Sequence, residues 1–232
     1  MSAVRRDGIT TVILALLTTL FFSATVQAEQ PNDWELALEE KGISIHTRDV
    51  DGSAFKAYKG VTVIDAPLAS VLGIFSNPRA NREWLEGCVS FEEIARSSFY
   101  SYSVYQVWDL PWPAADRDFV VDVNIERVKD GVFHIQMDDR AGMKTEQPDR
   151  VRASMPSGYY RLTEVAPGKT EVIMSQHVEP NGSLPGWMVN SLVTETPYES
   201  LRNLRDLATD QKYADATFIE KDNGRIAGVR LP

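Results

Sequence analysis

The middle of the chain alternates between apolar and polar residues with a period of two, which predicts an antiparallel sheet. The clearest example is residues 119–125, where Asp122 and Asn124 lie between apolar side chains of the opposite face. By the same pattern we predict strands over residues 43–50, 55–64, 132–138, 151–155, 158–165 and 171–178. Turn residues separate these strands at positions 51–52, 129–131, 156–158 and 167–168.

Apolar residues recur at helical spacing on both sides of this region. Residues 67–77 and 79–85 are predicted as two short helices. Residues 184–213 are predicted as one long helix that Pro197 kinks. A curved antiparallel sheet followed by one long helix is an α+β fold in which the helix crosses the concave face of the sheet. Such a fold encloses a cavity wherever side chains do not fill the space between the two layers.

The segments at the two ends of this region carry weaker patterns. Residues 31–41 carry Trp34, Leu36 and Leu38 among acidic side chains, and we predict a short helix that Gly42 stops. The polar residues 214–232 are predicted to be a flexible tail.

The first 28 residues have the order of a secretory signal peptide. Arg5 and Arg6 precede a mostly apolar stretch over residues 9–26, and Ala28 ends a small-residue cleavage site. An uncleaved membrane anchor is the alternative, since about 20 apolar residues can span a bilayer. The polar residues that follow contain no positive stop-transfer cluster, which favours cleavage after Ala28. We therefore expect a periplasmic or secreted protein.

The net charge and the cysteine and histidine positions argue against nucleic-acid binding and metal binding. The chain has 24 Lys and Arg against 33 Asp and Glu, a net charge of -9 that opposes binding to nucleic acid. The single Cys88 cannot form an intramolecular disulfide. His46, His134 and His177 do not have metal-ligand spacing. We expect no metal, no cofactor and no DNA or RNA partner.

Two segments resemble a known family. Residues 111–120, Pro-Trp-Pro-Ala-Ala-Asp-Arg-Asp-Phe-Val, are similar to the "PWP..DRDFV" segment of the START family, the lipid-transfer domains related to the steroidogenic acute regulatory protein. Residues 184–190, with Pro197 downstream, are similar to the family's last helix, which begins "P.W..N". The resemblance covers essentially the whole mature domain, residues 29–213. It implies a helix-grip fold, a hydrophobic tunnel for one lipid or sterol, and no catalysis.

The resemblance also implies where a ligand enters. In the family the loop with the "PWP" segment and the last helix form the entrance, and the corresponding residues here are Trp112, Pro113, Ala114, Trp187, Met188, Asn190, Ser191, Leu192 and Thr194. The alternation along residues 119–125 separately predicts a cavity wall that contains Phe119, Val121, Val123 and Ile125.

Arg117 and Asp118 are adjacent on the predicted strand, so their side chains point to opposite faces and at most one faces the cavity. We expect Arg117 to pin the loop to the sheet, the alternative being a contact with a ligand head group. Cholesterol-binding members of the family pair an acid with an arginine inside the cavity, whereas the inward positions after Asp118 are apolar. The sequence therefore favours a sterol no more than a phospholipid, a fatty acid or another amphiphile as the ligand.

These observations predict a monomeric protein that binds a single lipid or other hydrophobic amphiphile, touches membrane surfaces transiently and carries its ligand through the cell envelope. One alternative is a small helix-grip enzyme, a cyclase or hydrolase acting on a hydrophobic substrate in the same cavity. Another is a filled core that binds no ligand. His134, Gln136 and Asp138 share one strand face and are the best candidates for enzyme chemistry. The apolar residues between them indicate that this face points outward.

Overall fold

The computed structural model describes residues 33–232, so the predicted signal peptide, its cleavage site and the membrane-anchor alternative lie outside the described residues. The strands are β1 (Glu35–Glu40), β2 (Ile43–Arg48), β3 (Ala57–Ile64), β4 (Cys88–Ser98), β5 (Ser101–Trp108), β6 (Arg117–Lys129), β7 (Val132–Asp139), β8 (Val151–Arg152), β9 (Ser154–Ala166), β10 (Lys169–Glu179), β11 (Thr217–Glu220) and β12 (Ile226–Arg230). The helices are α1 (Leu68–Phe75), α2 (Pro78–Trp84), α3 (Gly186–Val193), α4 (Glu195–Ala208) and α5 (Gln211–Ala214). No helix in this part of the chain is both long and apolar enough to cross a bilayer.

Ten of the strands form one curved sheet. Nine of them follow the order β1-β2-β3-β10-β9-β7-β6-β5-β4 with antiparallel neighbours, and β8 pairs in parallel with the start of β6. The helix α4 packs against β2 and β3, and α1 and α2 lie beside it. The predicted α+β helix-grip fold is confirmed.

The contact between α4 and the sheet depends on an apolar stripe and on one glycine. Leu201, Leu204 and Ala208 are fully buried along the helix. Gly60 of β3 lies opposite them, and a Cβ atom at this position would be 2.6 Å from the Leu201 side chain. Because Gly60 has no side chain, α4 can approach the sheet closely enough to bury this stripe.

The segment predicted as a helix over residues 31–41 is a strand where the structure describes it. β1 pairs antiparallel with β2 from one end to the other, with one shift of register between Leu36 and Leu38. Lys41 and Gly42 both have positive φ, at 50° and 74°, as a two-residue type I′ hairpin requires. The helix prediction was wrong because pairing with β2 satisfies the backbone of a segment whose own helical preference is weak.

The last helical segment is three helices instead of one. The chain breaks at Thr194, between α3 and α4, and not at Pro197 as predicted. Pro197 lies in the first turn of α4, where a backbone N–H has no partner within the helix and its absence costs little. The Thr194 hydroxyl donates to the Asn190 carbonyl at 2.6 Å, back into α3.

Residues 214–232 are folded, so the prediction of a flexible tail was wrong. β11 and β12 form a hairpin that packs against α1. Ile226 is 1% exposed, and its carbonyl accepts a hydrogen bond of 2.7 Å from the Tyr100 hydroxyl. The rings of Phe218 and Phe133 lie 5.9 Å apart between centroids. A few alternating apolar residues are enough to dock this otherwise polar segment.

The turn predicted at residues 156–158 is part of β9. The ladder between β9 and β10 changes register beside this segment. Pro156 therefore lies in a bulge, where its missing N–H does not interrupt the regular pairing. The turns predicted at residues 129–131 and 167–168 are confirmed, since both join consecutive strands of the sheet.

Candidate functional site

A cavity of about 120 Å³ lies between the concave face of the sheet and the helices. Its wall is mainly apolar, and its aromatic members are Phe55, Tyr58, Phe75, Trp84, Phe91, Tyr102, Trp108, Phe119 and Tyr160. The rings of Phe75, Trp84 and Tyr160 pack against one another, with centroid separations from 4.7 to 6.0 Å. This cluster makes one side of the wall stiff.

Three polar side chains cross the sheet side of the cavity as one chain of hydrogen bonds. The Tyr58 hydroxyl donates to Gln176 Oε1, and Gln176 Nε2 donates to the Tyr160 hydroxyl at 2.9 Å. Burial raises the pKa of both phenols above the usual range, so both stay protonated at neutral pH. The three groups thus link β3, β10 and β9 without introducing a charge.

A second polar group connects the first two helices to the wall. Asn81 Nδ2 donates to the Phe75 carbonyl at 2.9 Å, and Trp84 Nε1 donates to Asn81 Oδ1 at 3.0 Å. The Tyr102 hydroxyl also donates to the Phe75 carbonyl, at 3.0 Å. These buried polar atoms are occupied within the protein, as buried groups must be to avoid a desolvation cost.

Gln106 differs from the other polar residues of the wall. It is 5% exposed, and its Oε1 accepts a hydrogen bond of 3.1 Å from Trp108 Nε1. Since the indole nitrogen can only donate, this bond fixes which amide atom is oxygen. Gln106 Nε2 has no acceptor among residues 33–232, which leaves two N–H donors at the cavity. The sequence prediction missed Gln106, although this residue lies on the same face of β5 as Tyr102 and Trp108.

Arg117 lines the cavity and joins two loops. Its Nε donates to the Pro180 carbonyl and its Nη2 to the Asn181 carbonyl, both at 2.8 Å, and its Nη1 donates to the Ala115 carbonyl. Arg117 is 3% exposed, and burial lowers the pKa of its guanidinium. The loop that precedes β6 and the segment that precedes α3 are therefore held by the same side chain.

Asp118 faces the outer side of the sheet. Arg152 Nε donates to its Oδ1 at 2.6 Å, and the Tyr105 hydroxyl donates to its Oδ2 at 2.8 Å. Burial opposes ionisation of Asp118, but the bonds from Arg152 and Tyr105 outweigh it and hold the pKa below its usual range. The side chains of Arg117 and Asp118 thus lie on opposite faces of β6 and do not form an acid–arginine pair inside the cavity.

The structure places four predicted residues in the cavity wall, namely Arg117, Phe119, Val123 and Leu192. Val121 and Ile125 share their strand face but pack inside the core, which corrects their assignment to the wall. The reason is that neighbouring core side chains cover that part of the sheet. Met188 is 2% exposed and also lies away from the wall.

The other predicted entrance residues lie on or near the surface. Trp112 is 90% exposed and Trp187 61% exposed, and Pro113 and Asn190 are exposed beside them in the chain. Ser191 and Thr194 are half-buried where α3 meets α4. There the Ser191 hydroxyl donates to Glu195 Oε2 at 2.8 Å, across the joint.

The residues considered for an enzyme lie outside the cavity. His134, Gln136 and Asp138 occupy the outer face of β7, opposite its buried inward residues. Burial raises the pKa of the Cys88 thiol to about 12, so the thiol is protonated at neutral pH. Within residues 33–232 no three His, Cys, Asp or Glu side chains are grouped so that they could hold a metal ion.

Comparisons with known proteins agree with this architecture. The profile of the START domain matches residues 19–212. An uncharacterised protein of Pseudomonas aeruginosa is 32% identical over 178 residues, which are 76% of this chain and 87% of that protein. START domain-containing protein 10 of Homo sapiens is 23% identical over 174 residues, which are 73% of this chain and 59% of that protein. The hairpin of β11 and β12 lies beyond the matched residues.

Solved structures share the fold over about three quarters of this chain. A STAR-related lipid transfer protein from Xanthomonas axonopodis superposes with a TM-score of 0.70 at 26% identity, over 77% of this chain and all of that fragment. Human STARD10 superposes with a TM-score of 0.68 at 19% identity, over 78% of this chain and 74% of the other.

Proposed function

The chain belongs to the START domain family, and on that premise we propose that it binds one lipid or other hydrophobic amphiphile in its cavity. START domains are lipid-binding and lipid-transfer domains. The observation that carries the proposal is the cavity itself, whose wall is largely aromatic and aliphatic. Its Gln106 donors suit a ligand whose polar end carries a hydrogen-bond acceptor.

Two exposed tryptophans support a transient contact with membranes. Trp112 lies in the loop before β6, and Trp187 lies at the start of α3, just after the segment that Arg117 joins to that loop. Tryptophan rings are favoured at the boundary between lipid and water. A chain without residues 1–28 carries a net charge of -10, because those residues contain two arginines and one aspartate. We propose that docking is therefore hydrophobic and depends weakly on salt.

We further propose that the protein is an exported, monomeric carrier and not an enzyme. Its cavity wall is built from aliphatic, aromatic, thioether, amide and hydroxyl side chains, and its charged members are Lys56 and Arg117. Acid–base catalysis commonly relies on a positioned carboxylate or imidazole, and the candidate cluster of His134, Gln136 and Asp138 faces away from the cavity. Export rests on the signal-peptide pattern of residues 1–28.

Native mass spectrometry of the protein recovered from the cell envelope tests binding. We expect one lipid-sized ligand per chain, which extraction and fragmentation would identify. Protein that carries no ligand, and takes up none from vesicles of total cell lipid, would contradict the proposal.

A transfer assay between vesicles tests the membrane contact. We expect the double variant Trp112→Ser, Trp187→Ser to transfer lipid severalfold more slowly than the parent protein, since two large apolar side chains leave the docking surface. Val165→Ser is the matched control, because Val165 is also exposed, at 49%, but lies at the β9–β10 hairpin. Equal transfer by the double variant, or transfer that collapses when salt is raised, would argue against hydrophobic docking.

A further inference from the structure

Methionines form the part of the cavity wall that can change shape most easily. Met137, Met155 and Met174 all line the cavity and are at most 7% exposed. A methionine side chain is unbranched, with three rotatable bonds and a polarisable sulfur, so it adapts to irregular space. Another part of the wall contains the packed rings of Phe75 and Trp84, which have fewer ways to rearrange.

Gly158 explains where two of these methionines lie. Met137 is the direct partner of Gly158 in the β7–β9 ladder. A Cβ atom on Gly158 would be 2.5 Å from the Met155 sulfur and 3.0 Å from the Met137 terminal methyl carbon. The two side chains therefore occupy the space above the glycine that any other residue would fill. The contact consists of packing alone, which either side chain can leave by bond rotation.

The size of the cavity indicates that this rearrangement is needed. The cavity measures about 120 Å³, whereas sites for small organic ligands typically measure about 300 to 1,000 Å³. Additional room must come from movement of wall residues. The hydrogen-bonded chain of Tyr58, Gln176 and Tyr160 resists movement, because opening it would leave buried polar atoms unpaired.

We propose that Met137 and Met155 form an adjustable floor over Gly158 that determines how long an apolar chain the cavity accepts. This inference rests on the proposed lipid-binding function and names residues that determine its specificity. With both side chains folded over Gly158 the cavity suits a short chain, and with one or both rotated away it accepts a longer one. The protein therefore takes amphiphiles with a range of acyl-chain lengths.

The test uses the full chain and vesicles that contain phosphatidylethanolamine and free fatty acid, each as an equimolar series of saturated acyl-chain lengths. Bound lipids are then counted by native mass spectrometry. We expect Met137→Ala and Met155→Ala to shift the bound population towards longer chains, and Met155→Phe towards shorter ones. Each methylene whose burial is gained or lost changes relative occupancy by about fourfold.

A second pair of variants keeps the test informative if the alanine variants fail to fold. Met137→Leu and Met155→Leu keep the volume of the side chains while removing rotatable freedom, and we expect a narrower spread of bound chain lengths. Met143→Leu is the matched control, because Met143 is 44% exposed and lies outside the cavity, and its bound population should equal that of the parent.

The outcomes separate the two proposals. The same chain-length distribution in the parent and in every folded Met137 and Met155 variant would overturn the adjustable floor while leaving lipid binding intact. A parent protein that binds neither lipid class, and takes up no ligand from vesicles of total cell lipid, would overturn the proposed function itself.

Discussion

The two long helices of the last segment differ in how firmly they are held. In α4, the side chains of Leu201 and Leu204 are fully buried against the sheet and the other helices. In α3, only Met188 and Val193 are buried, and Trp187 is 61% exposed. Elements with few buried apolar contacts open at lower free energy than the core does. The comparison shows that one continuous segment supplies both a fixed cover, α4, and a loosely held edge, α3, beside the cavity.

The difference has a local cause at each end. Gly60 lets Leu201 sit directly on the sheet, and this contact fixes α4. The start of α3 is held through Arg117, which donates to the carbonyls of Pro180 and Asn181 in the preceding segment. Because α3 itself buries only Met188 and Val193, its separation from the core should cost less free energy than that of α4. We therefore expect the cavity to open more readily by movement of α3 than by movement of α4.

The largest expected effect comes from truncating the buried stripe of α4. Leu201→Ala should lower the free energy of unfolding by about 2 to 5 kcal/mol, because it removes buried methyl groups and leaves a void. Leu192→Ala in α3, where the side chain is half-buried at the cavity wall, is the matched variant and should cost less. Urea unfolding measures both. A cost for Leu192→Ala as large as that for Leu201→Ala would remove the distinction between the two helices.

A smaller effect is expected from adding one carbon atom beneath α4. Gly60→Ala should lower the free energy of unfolding by about 1 to 3 kcal/mol, because the new Cβ meets Leu201 and Ile45. Gly186→Ala at the start of α3 is the control, since nothing lies within 4 Å of a Cβ there. Thermal melting of the two variants should differ accordingly. Equal melting temperatures would show that α4 adjusts its height over the sheet without cost.

The smallest expected effect is on the stability of the fold at low pH. The pKa of Asp118 is depressed in the folded protein, so its bonds to Arg152 and Tyr105 stabilise the fold above the unfolded value of about 3.9. This contribution is lost as the pH falls through the lower, folded pKa. Arg152 also accepts a hydrogen bond from Asn181 at its carbonyl, so acid should loosen the segment before α3 ahead of α4.

Hydrogen exchange in residues 180–187 and 198–208, corrected for the intrinsic effect of pH, measures this order of loosening. The variant Asp118→Asn cannot ionise at this position and should lose that part of the acid dependence. An unchanged acid dependence in the variant would assign the effect to other carboxyl groups.

Much of the sheet could be predicted because its information is local. The alternation over residues 119–125 gives the buried face of β6, and the predicted turns at residues 129–131 and 167–168 are where the chain reverses. The segments around Trp112 and Trp187 resemble START sequences, and the family match bears this out. Periodicity and short motifs need no knowledge of distant residues, so one sequence is enough to read them.

The errors occurred where a segment's partner lies elsewhere in the chain. The segment of β1 has the composition of a weak helix, and only pairing with β2 makes it a strand. The hairpin after α5 is polar, and it folds because α1 and the Phe133 ring offer it an apolar surface. In each segment the tertiary contacts outweigh a local secondary-structure preference of roughly a few tenths of a kcal/mol per residue.

The sequence by itself determined the fold class and the inward face of the central strand through spacing along the chain, and it indicated the family through the resemblance of two short motifs. The tertiary structure alone decided which inward residues meet the cavity, setting Phe119 and Val123 in its wall and Val121 in the core. It also decided that Gln106 has free donors and that Gly158 leaves room for two methionines. These properties are set by distances between residues far apart in the chain, and no periodicity records such distances.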